Sequence, residues 1–164
     1  MSILIEYSQL LYDTQFSTEF RESLYVFPIV EGLHLLGLTF SVGLILLTDL
    51  RLVGKFLQNE PAVDILMQLR PWLLIGFAFT FFTGILLFTA ESVKVLENPV
   101  FPLKILLILL AGINAIWFEL KLGRKADEWG HLLELPKGVK FAGWSSLVLW
   151  VGVVITGRLI PYLG

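Results

Sequence analysis

Cysteine is absent from this chain, and methionine and histidine occur only twice each. Without a thiol there is no disulfide, no thiolate metal site and no cysteine nucleophile. With two methionines, the soft sulfur ligands that copper(I) prefers are scarce. Charge is thin as well: 16% of the 164 residues are Asp, Glu, Lys or Arg, against roughly 25% in an average soluble domain. The net charge of −2 leaves no basic footprint for nucleic acid. No basic residue precedes Arg21. The positive n-region of a cleavable signal peptide is therefore missing, and the first spanning helix is expected to direct its own insertion. Neither a phosphate-binding Gly-Lys-Ser/Thr loop nor a His-Glu-x-x-His zinc motif occurs.

What the chain has is apolar length. Hydrophobic residues make up 56% of it, and the mean hydropathy is +0.80. Four apolar runs, at about 27–50, 71–91, 101–121 and 139–160, are each long enough to cross ~30 Å of hydrocarbon at 1.5 Å per residue. The expected fold is all-α: a transmembrane four-helix up-down bundle over 27–164, built from two αα-hairpins with short loops. Pro71, Pro102 and Pro136 are expected at or just before helix starts, where a missing N–H does no harm, and Pro28 in a first turn. Residues 1–26 alternate apolar and polar groups (Ile3, Leu4, Ile5 and Leu10 against Glu6, Gln9 and Asp13). They read either as an amphipathic interfacial segment or as an ordinary ordered leader, with Ser17 as a helix N-cap.

Basic residues set the expected orientation. Arg51, Lys55, Arg70, Lys121, Arg124, Lys125, Lys137 and Lys140 flank two of the loops, against Arg21, Lys94, Lys104 and Arg158 on the other side. Positive charge stays inside, so both termini are expected outside. Trp72, Trp129 and Trp144 are expected as anchors at the inner boundary, and Tyr25 and Tyr162 at the outer one.

The hairpins also resemble each other. Asp49-Leu50-Arg51-Leu52 ends the first span and Glu119-Leu120-Lys121-Leu122 the third, an offset of 70; Thr83-Gly84 and Thr156-Gly157 repeat at an offset of 73. Copies in the same orientation imply a pseudo-two-fold axis along the membrane normal. Convergent helix-end chemistry is the alternative. On this alignment Lys104 is the counterpart of His34.

Two polar levels are candidates for chemistry. In the outer one, His34 lies ~7 Å from its helix midpoint, Lys104 ~10 Å, Glu31 ~11 Å and Arg158 ~13 Å, at 1.5 Å per residue. Ionisable groups in hydrocarbon are costly and imply partners or a task. This level reads as a paired structural network or as a pocket for an anionic or metallic ligand, with His34 as metal ligand or proton carrier. Arg158 and Lys104 are also long enough to snorkel to the interface. Helix-spaced stripes at Glu31, His34, Ser41 and Thr48, at Gly76, Thr80 and Thr83, at Lys104, Ala111 and Asn114, and at Gly143, Ser146 and Gly157 are expected to face the bundle, their hydroxyls and amide acting as interhelical glue. The inner level, Asp49, Glu119 and Asn114 with Arg51 and Lys121, reads as solvated or snorkelling pairs at helix ends. His131 reads as a surface loop residue.

The run Ser23, Pro28, Glu31, His34, Gly37, then Asp49-Leu50-Arg51-Leu52, resembles an uncharacterised family of small bacterial four-helix integral membrane proteins. So do Thr83-Gly84 with Leu86-Leu87-Phe88, Asn98-Pro99 with Phe101 and Lys104, Asn114 with Phe118, and Trp150 with Gly157-Arg158. The likeness covers roughly 20–162. That family is distantly similar to copper-resistance D-type membrane domains and b-type cytochrome bundles. The resemblance implies a fold and a bacterial inner-membrane location but no activity. It also implies that relatives carry His where Glu119 stands here, which argues against a two-haem wire in this chain.

Three functions follow as expectations. In the first, a redox or electron-transfer subunit holds haem b or a quinone at His34; Lys104 and Arg158 neutralise the ligand's anionic groups, and Glu31 orients the imidazole. A six-coordinate haem needs a second ligand, and the spans hold one His. The others are a non-catalytic scaffold and a carrier of a small solute or metal ion. Expected partners are the lipid bilayer and either further copies of the chain or other membrane or periplasmic subunits.

Overall fold

In a computed structural model of the chain, residues 2–132 and 134–163 are described. Two short helices, α1 (Ser2–Tyr12) and α2 (Gln15–Glu22), precede four long ones: α3 (Val26–Val53), α4 (Ala62–Glu97), α5 (Phe101–Lys121) and α7 (Lys137–Leu163). A single helical turn, α6 (Ala126–Trp129), lies in the connection between α5 and α7. All four long helices are long and apolar enough to cross a membrane, and the protein is an all-α, multi-pass membrane protein. Below, the connector end carries the α3–α4 and α5–α7 connections; the terminal end carries the chain termini.

The expected spans lie inside the observed helices, with one shift. Pro71 does not open its helix; it sits inside α4, which starts at Ala62. Tertiary contact decides this. Ala62 is fully buried against Leu52, Trp129, Leu135 and Val139, and its N–H donates to Gly130 O at 2.8 Å. Trp129 is consequently no lipid anchor: it is buried, and its indole N–H donates to Leu122 O at 3.0 Å. Trp72, Trp144, Tyr25 and Tyr162 are exposed.

α4 is 36 residues long, about 54 Å at 1.5 Å per residue. It breaks at Glu91, whose φ of −123° and ψ of 26° are not helical. A break leaves carbonyls of the preceding turn in need of donors. The α2 helix supplies them: Ser17 Oγ donates to Thr89 O at 2.7 Å, and Arg21 Nη1 donates to Ala90 O at 3.1 Å. Ser17 is thus not the N-cap. Thr14 is, accepting from the Ser17 N–H. Because the Ser17 hydroxyl is fully buried, Ser17→Ala is expected to cost about 1–3 kcal/mol through the unsatisfied carbonyl. A lowered thermal midpoint of the detergent-solubilised protein checks this; an unchanged midpoint contradicts it.

The bundle keeps the expected polar stripes inward from His34 onward. Ser41, Thr48, Gly76, Thr80, Thr83, Ala111 and Gly143 are all buried, as are Gly37 and Thr156 outside those stripes. Asn114 Nδ2 donates to Ala142 O at 3.1 Å, joining α5 to α7.

The hairpin repeat has a packing consequence. At offsets of 70 and 73, Phe77 on α4 pairs with Trp150 on α7. Their rings touch, with centroids 4.9 Å apart. The knob-and-hole contacts within each hairpin are also related, with the sizes exchanged. Gly37 on α3 faces Phe79 on α4, where a Cβ would stand 2.7 Å from the ring; the counterpart pair is Leu107 on α5 facing Gly152 on α7, where a Cβ would stand 3.1 Å from the leucine methyl.

Candidate functional site

The two hairpins differ where α4 meets α5, and a cavity lies there. Asp49 and Glu119 are counterparts, as are Arg70 and Gly143. In one seam, Gly143 lets α7 close on α3: a Cβ there would stand 3.2 Å from Asp49 O, Leu52 Cβ and Val53 Cγ2. In the other seam Arg70 takes glycine's place and forms an ion pair with Glu119 across α4 and α5. A long charged pair spans a wider gap than a glycine contact. Accordingly α3 packs along α7, while α4 and α5 have little contact.

Between α4 and α5 lies a cleft of about 650 Å³, within the usual range for small-molecule sites. Met67, Leu74 and Phe81 on α4 and Ile116 and Leu120 on α5 form its edges and are exposed on the flank of the spans. Its opening is therefore edged by apolar side chains on the outside of the bundle. Phe77 and Trp150 form one wall. The floor is polar, with Thr48 and Asp49 from α3, Asn114 from α5 and Ser146 from α7. A second cavity of about 470 Å³ lies at the connector end, where Arg124 and Asp127 join Arg70 and Glu119. The ion pair stands where the two cavities share a wall.

Asp49 is the unusual group. It is 6% exposed, and its Oδ2 has no hydrogen-bond partner among the described residues. The Ser146 hydroxyl stands beside the carboxyl. The neighbouring donors are engaged elsewhere: Thr48 Oγ1 donates to Leu44 O at 2.9 Å, and Asn114 spends one amide N–H on Ala142 O. An unpaired buried polar atom costs free energy and calls for a partner.

This revises the inner level read from the sequence. Asp49 is not a solvated helix-end charge, because α7 seals it from one side. Arg51 does not snorkel; it is 4% exposed, with Nε donating to Glu60 O at 2.8 Å. A signal was present in the sequence: the acid repeated at one register in both hairpins, but only Glu119 had an arginine opposite it at the counterpart of a glycine. His131 is exposed as expected.

The outer-level residues are arranged differently from one another. His34 is half-buried, with Nδ1 2.9 Å from Thr83 Oγ1. Thr83 Oγ1 also lies within hydrogen-bond distance of Phe79 O at 2.9 Å and Thr80 O at 3.1 Å, and the tautomer of the His34 ring sets which member of the His34–Thr83 pair donates. The ring rests on Gly84, 3.2 Å from where a Cβ would stand; Lys104 rests likewise on Gly157 at 3.6 Å. Lys104 is near enough for its charge to act on the imidazole. Glu31 is exposed on α3, without a hydrogen bond or ion pair among the described residues. Arg158 is exposed at the terminal end, where Nη2 donates to Tyr162 Oη at 3.2 Å. The structure thus brings His34 and Lys104 to one level and leaves Glu31 and Arg158 on the surface. None of the four lines the cleft.

Among the described residues, no group of three His, Asp or Glu converges as a metal site would require. No histidine lines the cleft, so its residues do not fit a haem.

Residues 21–163 match the model of a family of unknown function, DUF6644, and the chain belongs to that family. No curated protein and no solved structure matches it.

Proposed function

We propose that this protein is a membrane-embedded binding subunit for a lipid-soluble molecule, taken from the bilayer between α4 and α5 and held with its polar head at Asp49. The observation that carries this reading is a cleft edged by exposed apolar side chains whose floor includes the buried Asp49 carboxyl. Lipid tails satisfy the walls but leave Asp49 unpaired; a headed amphiphile satisfies both. In the electron-transfer form of this reading the molecule is a quinone, and a partner subunit in the same membrane supplies the redox centre. The haem form has no support in the donor set. The His34 level, with Glu31, Lys104 and Arg158, lies outside this cleft and is assigned no ligand. Following the basic residues, the connector end faces the cytoplasm of a bacterial cell and both termini face outward.

A carrier reading stands second, favoured by the polar cavity behind the Arg70–Glu119 pair. It shares the cleft and differs in requiring the pair to open.

Equilibrium binding of a decyl benzoquinone and of its hydroquinone to the protein in nanodiscs tests the proposal. Gly112 lines the cleft, and a Cβ there meets nothing within 4 Å, so Gly112→Trp is the variant chosen to obstruct the cleft. Saturable binding of at least one redox form, lost in Gly112→Trp, is the expected result. Absence of saturable binding by both forms, or binding indifferent to the plug, overturns it.

A further inference from the structure

We infer that the connector-end cavity binds the head of a phospholipid that carries a primary ammonium, a phosphoethanolamine, with a chain of that lipid lying along the mouth of the cleft between α4 and α5. This goes beyond the reading of the cleft: it assigns the lipid that stands at the mouth and is independent of what the cleft takes in.

Charge is the first support. Two cations, Arg70 and Arg124, and two acids, Glu119 and Asp127, line this cavity. It therefore has no net charge, unlike the basic pockets that collect anionic lipid heads. Arg70 gives Nη2 to Glu119 Oε1, which leaves its other N–H groups unspent. Glu119 Oε2 turns toward Gly123, 2.9 Å from where a Cβ would stand, so the missing side chain makes room for it. Arg124 and Asp127 are exposed and lie on consecutive helical turns, yet neither forms an ion pair among the described residues. Opposite charges that face one cavity without meeting leave space for a ligand carrying both. Its phosphate takes N–H groups of Arg124 and Arg70; its ammonium donates to Asp127 and Glu119 Oε2. Both sets are charge-assisted hydrogen bonds.

Depth is the second. Phe81 stands at the centre of the apolar run 71–91, and both Phe81 and Arg70 line the cleft. The α4 helix rises about 16 Å between them at 1.5 Å per residue, close to half of a ~30 Å hydrocarbon core. Arg70 thus lies one leaflet away from the midplane, at the level of lipid heads. Met67, Leu74, Phe81, Ile116 and Leu120 are exposed along the mouth, and Met67 also lines the polar cavity. A chain anchored by its head at Arg70 and Arg124 therefore has an apolar strip one leaflet long beside it. A soluble head group gains nothing from that strip, which is why the occupant is a lipid.

Native mass spectrometry of the detergent-solubilised protein tests this, because it resolves the first lipid bound. The probes are phosphatidylethanolamine, phosphatidylcholine and phosphatidylglycerol with the same dioleoyl chains. Wild type is expected to bind the ethanolamine lipid about three- to fivefold tighter than either of the others, the scale of one partly exposed charge pair. Choline keeps the positive charge but has no N–H to donate, and glycerol lacks the charge. Asp127→Asn leaves the cavity net positive, so the preference over phosphatidylglycerol is expected to vanish. Arg124→Gln is expected to weaken all three. Both residues are exposed, so neither change opens a core. Glu128→Gln, exposed and outside the cavity, should match wild type. Equal affinities in wild type, tightest binding of phosphatidylglycerol, or an ethanolamine preference that survives Asp127→Asn each overturn the inference. Glycerophosphoethanolamine, the same head without chains, separates lipid from soluble ester. It is expected to bind far more weakly than the lipid; equal affinity would assign the cavity to a soluble phosphate ester and overturn the lipid assignment.

Discussion

Gly37→Leu is expected to disable folding, and Phe79→Gly added to it is expected to restore much of what was lost. The ring of Phe79 already stands 2.7 Å from the position of a Gly37 Cβ, with Thr80 Oγ1 at 3.0 Å. A leucine there fits only if the Phe79 ring swings outward or α3 moves away from α4. Overpacking of this kind costs about 1–3 kcal/mol, sometimes more. Phe79→Gly alone removes a ring that is 40% exposed, so its cavity penalty falls below that of a fully buried phenylalanine, about 3–5 kcal/mol. The double variant reproduces the Leu107–Gly152 arrangement that the second hairpin already uses. A double-mutant cycle on thermal stability should therefore show a coupling of about 1–3 kcal/mol, the range for residues in direct contact. Gly32→Leu is the control: a Cβ there meets nothing, and the variant should behave as wild type. Additive losses in the cycle would mean that the two contacts are not equivalent and that the size exchange is accidental.

Gly143→Leu carries the second large effect. The atoms facing this glycine are a backbone carbonyl, a Cβ and a branched methyl, Asp49 O, Leu52 Cβ and Val53 Cγ2. None is the far end of a flexible side chain, so the backbone must move. Separation of α7 from α3 breaks the seam that seals Asp49 and disturbs the nearby core around Leu52 and Val139. The expected outcome is a loss of about 1–3 kcal/mol or more, seen as a sharp drop in monodisperse protein on size exclusion and loss of binding by any that remains. Gly112→Leu, on the open side of α5, should keep its elution profile. A well-folded Gly143→Leu protein with an intact cleft would show that the closed seam does not depend on close approach.

The contrast between Gly143 and Gly112 shows how much of this molecule the sequence revealed. Helix length and most of the inward stripes are local or periodic properties, and hydropathy with helix spacing exposes them. The α5 helix, Phe101–Lys121, even begins and ends where its apolar run does. Pro71 misled because a proline marks a helix start only when nothing upstream holds the chain helical, and burial of Ala62 does so here. Asp49 misled for a related reason. An acid two residues from an arginine at the end of an apolar run has the same local pattern whether water reaches it or not. The difference lies in α7, nearly a hundred residues away, where glycine at 143 brings a wall against it. Arg70 at the counterpart position holds the other seam apart. Both residues are plain in the sequence, but their meaning depends on aligning the hairpins and then noticing where they disagree. The hydrogen bonds from Ser17 and Arg21 to the broken turn of α4 had no such signal, because the break at Glu91 is not marked by proline or glycine.

Carboxyl labelling in native membranes tests the central claim, that Asp49 lies at the bottom of a cleft open to lipid. The reagent is dicyclohexylcarbodiimide, which partitions into the bilayer and adds covalently to carboxyl groups; peptide mass spectrometry then locates the adducts. The account predicts an adduct on Asp49, absent with a water-soluble carbodiimide and suppressed in Gly112→Trp. Labelling that reaches Glu31 on the lipid-facing surface but leaves Asp49 untouched would contradict it.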